Sequence, residues 1–251
     1  MKFRLRAFGL HLLASAAVLS ITLGTLFIGW YHWPGWYLTG VLHVVAVMAG
    51  VDVVLGPSLT LIIASTKKPR RVLLRDIAII ATFQFAALIY GTTALWSGRP
   101  LYYAFSVDCL SVVQAYDIDK DGLALARRQN SALLPHWYSL PRWIWAPLPE
   151  DSKTAQEIVA SLVQGGDDVT AMPQYYKSWN EGLSELRTHL QKVDDIKYFS
   201  RKEKKLLKDR LHAAGLAADQ SNGIALTGRG RPLLVVVDPS SLTVSAILKA
   251  T

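Results

Sequence analysis

Three long apolar runs within residues 1–99 limit what this chain can fold into more than any other feature it has. The first, residues 8–30, contains His11 as its only ionisable side chain. At a rise of about 1.5 Å per residue it crosses a hydrocarbon layer of about 30 Å with room to tilt. The second, residues 37–64, contains one acid, Asp52, followed by the helix-disrupting pair Gly56-Pro57. The third, residues 77–96, has Gln84 as its most polar member. All three are long enough to span a bilayer. A cleaved signal peptide competes for the first run, since Lys2, Arg4 and Arg6 precede it and Ala14-Ser15-Ala16 resembles a cleavage site. A signal peptide's apolar core is only about 7–15 residues. This run continues to Trp30, Tyr31 and Trp33, an interfacial aromatic belt, so an uncleaved anchor is expected.

Charge then sets the orientation. Lys67, Lys68, Arg70, Arg71 and Arg75 crowd the link between the second and third runs, whereas residues 31–36 contain no Lys or Arg. By the positive-inside rule the N-terminus and the basic link face the cytoplasm, and an odd number of crossings delivers residues 100–251 to the outer side. The expected organisation is a three-helix membrane domain over residues 1–99 and a periplasmic domain over 100–251, in a bacterial inner membrane. Residues 1–99 hold nine Lys or Arg against two acids, and residues 100–251 hold 18 against 17. The formal +8 and the pI near 9.6 therefore belong to the ends of membrane segments, which removes the case for nucleic-acid binding.

The outer part has the composition of a small α+β domain. Residues 101–107 and 110–116 read as a strand pair, and residues 233–237 and 242–248 read as a hairpin around an Asp-Pro turn. Helices are expected over 153–164 with Ser152 as cap, over 178–192, and from Ser200, where Ser200 and Glu203 form a capping box, to a stop at Gly215. Between residues 130 and 149 four prolines are interleaved with Trp137, Tyr138, Trp143 and Trp145, which suits an ordered loop better than a regular element. Those rings serve either to pack the loop on a core or to contact a partner. The third helix carries Arg201, Lys202, Lys204, Lys205 and Lys208, a solvated face or a contact for anionic lipid or an acidic partner. Cys109 is the only cysteine, so no internal disulfide forms, and burial in a strand is its expected place, with an intermolecular or reactive role as the alternative.

Catalytic signatures are missing from the sequence. Asp117-Ile118-Asp119-Lys120-Asp121-Gly122 matches the first half of a calcium-binding EF-hand loop, but the twelfth position is Arg128, so a polar turn is expected instead. There is no nucleophile elbow, phosphate loop or zinc spacing, and His136, His189 and His212 are scattered. No enzymatic activity, cofactor or small-molecule substrate is expected. Asp52 stands apart, because an acid in the middle of a spanning helix costs several kcal/mol unless it is neutral, paired or facing water. It is expected inside the bundle, in a structural hydrogen bond or, with His11 or His43, in a proton relay.

The segment Asp52-Val53-Val54-Leu55-Gly56-Pro57, together with Gly98-Arg99-Pro100-Leu101-Tyr102 and Phe105-Ser106-Val107-Asp108, resembles the TfpX/TfpZ family of type IV pilin accessory proteins. Pro141-Arg142-Trp143, Leu148-Pro149-Glu150-Asp151, Pro173-Gln174-Tyr175-Tyr176 and Val237-Asp238-Pro239 continue the likeness in the same order. The resemblance implies an accessory factor without enzymatic activity that acts on a major pilin, affecting its stability, its assembly or pilus dynamics. The competing reading is a membrane-anchored periplasmic sensor or ligand-binding module. Its weakness is the shortness of the cytoplasmic segments, which leaves signal output to another protein.

Overall fold

The computed structural model describes residues 1–66, 68–129, 131–217 and 221–250. Lys67 of the basic link and Asn130, at the start of the aromatic stretch, lie outside the described residues. The chain divides into two compact units, one of Met1–His32 with Gly40–Arg99 and one of Trp33–Thr39 with Pro100–Thr251.

Helix α1 (Lys2–Gly29) opens the first unit, and a single-turn helix α2 (Gly35–Leu38) follows in a segment that belongs to the second. The next long helix is composite: α3 (Leu42–Ala49), a π-helical turn (Gly50–Leu55) and α4 (Gly56–Ile63). Helix α5 (Arg70–Ser97) completes the unit. Lys2–Gly29, Leu42–Ile63 and Arg70–Ser97 are each long and apolar enough to cross a membrane. The second begins at Leu42, later than the apolar run that starts at residue 37. Tyr37 and Leu38 are apolar for another reason, since Leu38 is fully buried in the core of the second unit and Tyr37 packs beside it.

The second unit is an α/β fold on one mixed sheet of eight strands among the described residues, and not the four-stranded α+β arrangement expected above. The strands are β1 (Pro100–Ser106), β2 (Cys109–Gln114), β3 (Arg142–Trp145), β4 (Lys177–Ser178), β5 (Gln191–Lys192), β6 (Asn222–Thr227), β7 (Leu233–Val237) and β8 (Val244–Lys249). Their order is β4-β3-β1-β2-β6-β7-β8, with β5 also paired to β6. The β1–β3 and β2–β6 pairs are parallel and the others antiparallel. Strands β1 and β7 are buried along their whole length, so they read as unbroken apolar runs without alternation. Alternate residues face opposite layers. Tyr103, Phe105, Leu233, Val235 and Val237 join Leu38 and Leu186 in one core, while Leu234 and Val236 pack with Leu207, Leu211 and Phe199 in another.

The helices of this unit are α6 (Lys120–Arg128), α7 (Ser152–Val163), α8 (Leu183–His189) and α9 (Arg201–Ala213). The Ser200–Glu203 capping box forms and Gly215 adopts φ +75°, as the sequence predicts for α9. Four expectations need correction. Ser152 is the first residue of α7 and not its cap, because the Asp151 carboxylate accepts from the Thr154 amide at 2.9 Å and caps the helix one residue earlier. The expected helix over 178–192 is only α8, preceded by a 3₁₀ turn over Trp179–Gly182 and followed by β5, because residues 191 and 192 are drawn into the sheet. Residues 142–145 form strand β3, because β1 has an open edge that their backbone fills. The acidic stretch 117–122 is not only a turn, since the Asp119 carboxylate accepts from the amides of Asp121 and Gly122 and starts α6.

Candidate functional site

The Asp52-to-Pro57 segment is the most irregular piece of the helical unit, and its proline explains why. Pro57 has no N–H and its ring crowds the carbonyl of the preceding turn, so a regular helix cannot continue through it. The chain widens into a π turn just before it, with the Gly56 amide donating to the Val51 carbonyl, five residues back. In that register the Asp52 carbonyl would look to residue 57 for a donor and find none. Gln84 of α5 supplies it, its Nε2 donating to the Asp52 carbonyl at 3.0 Å. Gly56 makes room for this approach, since a Cβ there would collide with the Gln84 carboxamide. Aspartate, glycine and proline in this spacing thus form, with Gln84, one polar junction between two membrane-length helices.

Helix α1 closes the junction. With the Gln84 amide nitrogen committed to Asp52 and also 3.4 Å from Ser15 Oγ, its Oε1 faces His11 Nε2 at 2.8 Å. That orientation puts an imidazole proton on Nε2 and turns Nδ1 to the Thr60 hydroxyl at 2.6 Å. Thr60 is also 3.2 Å from the Gly56 carbonyl. His11, Thr60 and Gln84 therefore belong to one network across three helices, while His43 lies exposed on α3 outside it. Asp52 is 5% exposed and its Oδ2 has no hydrogen-bond partner. Asp52 lines a cavity of about 150 Å³ with His11, Ser15 and Gln84 as its other polar walls and Val18 and Phe85 among its apolar ones. Gln84 was visible in the sequence only as the most polar member of its run, and Thr60 and Ser15 carried no signal, because hydroxyls occur throughout spanning helices.

The aromatic stretch divides into two parts. Trp143 and Trp145 sit half-buried on β3, where Trp143 packs on Tyr103 with ring centroids 4.9 Å apart and on Trp179 at 5.5 Å, and Trp145 leans against Gly182. Their role is packing. Trp137 and Tyr138 remain outside, 72% and 58% exposed, with Tyr138 stacked on His136. The base of this loop is held by Arg142, which donates to the carbonyls of Leu133 and Leu134 at 2.9 Å each, and by the Tyr102 hydroxyl, which donates to Leu133 at 2.6 Å. Burial pushes the Tyr102 phenol up to about 12, with Arg142 pulling against it, so the hydroxyl stays a donor.

The basic stripe divides in the same way. Lys208 pairs with the Asp194 carboxylate at 2.6 Å and Lys204 donates to the Asp194 carbonyl at 2.6 Å, so both tie α9 to the preceding turn. Arg201, Lys202 and Lys205 are exposed. Cys109 is half-buried on β2, and burial pushes its thiol up, which disfavours the reactive thiolate. No His, Cys, Asp and Glu cluster suited to a metal occurs among the described residues.

A further element had no signal in the sequence. The segment Trp33–Thr39 is held in the α/β unit by two backbone bonds, from the amides of Arg229 and Gly230 to the Leu38 carbonyl at 2.7 and 3.1 Å. Gly228 and Gly230 lie flush on the backbone of Tyr37 and Leu38, where any side chain would intrude.

Three helices long and apolar enough to cross a membrane, with a buried polar network among them and an α/β unit besides, define a membrane protein of two units. The chain is 24% identical over 250 residues to the fimbrial assembly protein of serogroup I from Dichelobacter nodosus, covering 98% of this chain and 95% of the relative. The serogroup E1 protein gives the same identity and coverage. The protein of serogroups C1 and C2 is 30% identical over 124 residues, which is 49% of this chain and 95% of that relative. The chain belongs to this family of fimbrial assembly proteins. No protein-family model and no solved structure matches it.

Proposed function

We propose that this protein is an accessory factor for assembly of a type IV fimbria, of the TfpX/TfpZ kind, and that it works by protein contact without enzymatic chemistry. The observation that supports this is the similarity to fimbrial assembly proteins along nearly the whole chain, through both units. The protein is read as a multi-pass inner-membrane protein with its N-terminus in the cytoplasm and its α/β unit in the periplasm, on the basis of the basic link before α5. Its partner is the major pilin, met in the membrane before it enters the fibre. A protein with apolar helices and a folded unit outside the bilayer addresses a partner of the same bipartite build at two weak sites, which reinforce each other through effective concentration. Trp137 and Tyr138 supply the exposed aromatic contact, and Arg201 and Lys205 the cationic one, facing an acidic patch.

Deletion of the gene is expected to reduce surface fimbriae and twitching, and crosslinkers at positions 137, 201 and 205 are expected to capture the major pilin in the native host. Unchanged fimbriation with no pilin captured would overturn the reading. Alkaline phosphatase fused at the C-terminal end is expected to be active, and an inactive fusion would reverse the orientation.

A further inference from the structure

The cavity beside Asp52 has an unusual combination of walls for a site among membrane-length helices. Its floor is polar, with the Asp52 carboxylate and the Gln84 carboxamide both buried there. Its rim is small or apolar and faces outward, since Ala14, Val18 and Phe85 are exposed and the opening lies between α1 and α5. Most of the network's groups are satisfied within it. Gln84 uses its nitrogen on Asp52 and Ser15 and its oxygen on His11, and the second imidazole nitrogen meets Thr60. Asp52 Oδ2 is the buried atom of the network left without a partner, and it lies at the middle of the Leu42–Ile63 helix.

An acceptor oxygen without a donor is costly in hydrocarbon, and lipid chains that fill the opening offer no donor at this depth. A neighbouring helix does. The small rim residues Ala14, Ser15 and Ala81 allow a helix backbone to come close, which is how helices associate in lipid, where apolar surface alone gives little preference for one partner. We infer that the opening between α1 and α5 is a docking site for an apolar membrane-spanning helix of a partner that carries one hydrogen-bond donor at mid-bilayer depth, delivered to the Asp52 carboxylate. A cavity of about 150 Å³ holds one side chain, which limits the occupant to the tip of that helix's donor residue. This inference deepens the assembly reading above and rests on it for the partner's identity.

The test uses the full-length protein in native membranes. Photo-crosslinkers replace Val18 and Phe85 on the rim and, as a control, Phe83, which is exposed on a different face of α5. Ala81→Leu and, independently, Ala14→Leu fill the opening without touching the Asp52 network, and either one that accumulates normally serves. The rim positions are expected to capture a protein with one apolar segment, whose crosslinked stretch contains a donor side chain. Either filling variant should lower the yield about tenfold, as should replacing that donor with Leu, while position 83 captures nothing. Lipid adducts alone, yields that ignore the filling variants, or a captured helix without a donor at that depth would overturn the inference. A cavity-dependent partner that is not a fimbrial subunit would support the docking site and refute the assembly reading. Capture of the subunit from position 137 but never from 18 or 85 would do the reverse.

Discussion

In the helical unit the hydrogen bonds between helices run through polar side chains, Thr60, Gln84 and half-buried His11, beside apolar contacts such as Met48 on Gly91, whereas β1 and β7 of the α/β unit bury almost nothing but hydrocarbon and aromatic rings. The difference follows from solvent. Water drives apolar side chains together at roughly 25 cal/mol per Å², so a sheet with cores on both faces is specified by its apolar pattern. Lipid is as apolar as leucine and offers no such force, so helices are told apart by close packing and by hydrogen bonds that hydrocarbon cannot replace. One chain thus uses two methods of specification, each suited to the medium its sequence expects.

The comparison can be broken first on the apolar side. Phe105→Ala removes a fully buried ring from the core shared by β1, β6, β7 and α8. A loss of about 4 kcal/mol is expected, seen as a large drop in the unfolding midpoint of the purified full-length protein in detergent. Gly56→Val tests the polar side. The added carbons displace the Gln84 carboxamide and leave the Asp52 carbonyl without its donor, for an expected loss of about 3 kcal/mol. If Gly56→Val unfolds with a wild-type midpoint, the Gln84 junction is not what holds these helices.

Smaller effects sharpen the picture. Ser200→Ala removes the N-cap of α9 and should cost about 1 kcal/mol at neutral pH. Its hydrogen bonds to Glu203 hold that carboxyl below the usual range. A depressed native value stabilises the fold above the unfolded value and is lost as pH falls through the native one. The gap between wild type and Ser200→Ala should therefore be widest near neutrality and close progressively below about pH 4, read from paired urea titrations. The smallest change is expected from Asp52→Asn, which keeps the backbone carbonyl that Gln84 uses and the shape of the side chain. Stability should shift by less than about 1 kcal/mol. Normal accumulation combined with a pH-dependent loss of fimbriation would point to proton transfer at this site.

Much of this molecule was legible in its residues, and the boundary of legibility has physical causes. Apolar length identified three helices fit for a membrane, because the bilayer imposes a minimum span that composition alone satisfies. Capping chemistry located α9 and the Asp238 turn, where the Asp238 carboxylate accepts from the amides of Ser240 and Ser241 at 2.8 Å, since caps are local and need no distant partner. Strands β3, β4, β5 and β6 were invisible because each is short or sits beside prolines or glycines, and pairs only once β1, β2 and β7 exist to receive it. Tyr37 and Leu38 misled for the same reason: apolarity states that a residue is buried, not whether lipid or a protein core buries it. The sequence likewise marked Asp52, Gly56 and Pro57 as a motif without saying what the motif does. Only the fold brought Gln84 against the one carbonyl that Pro57 leaves without a donor, set His11 of a third helix against Gln84, and left Asp52 on the wall of an open cavity.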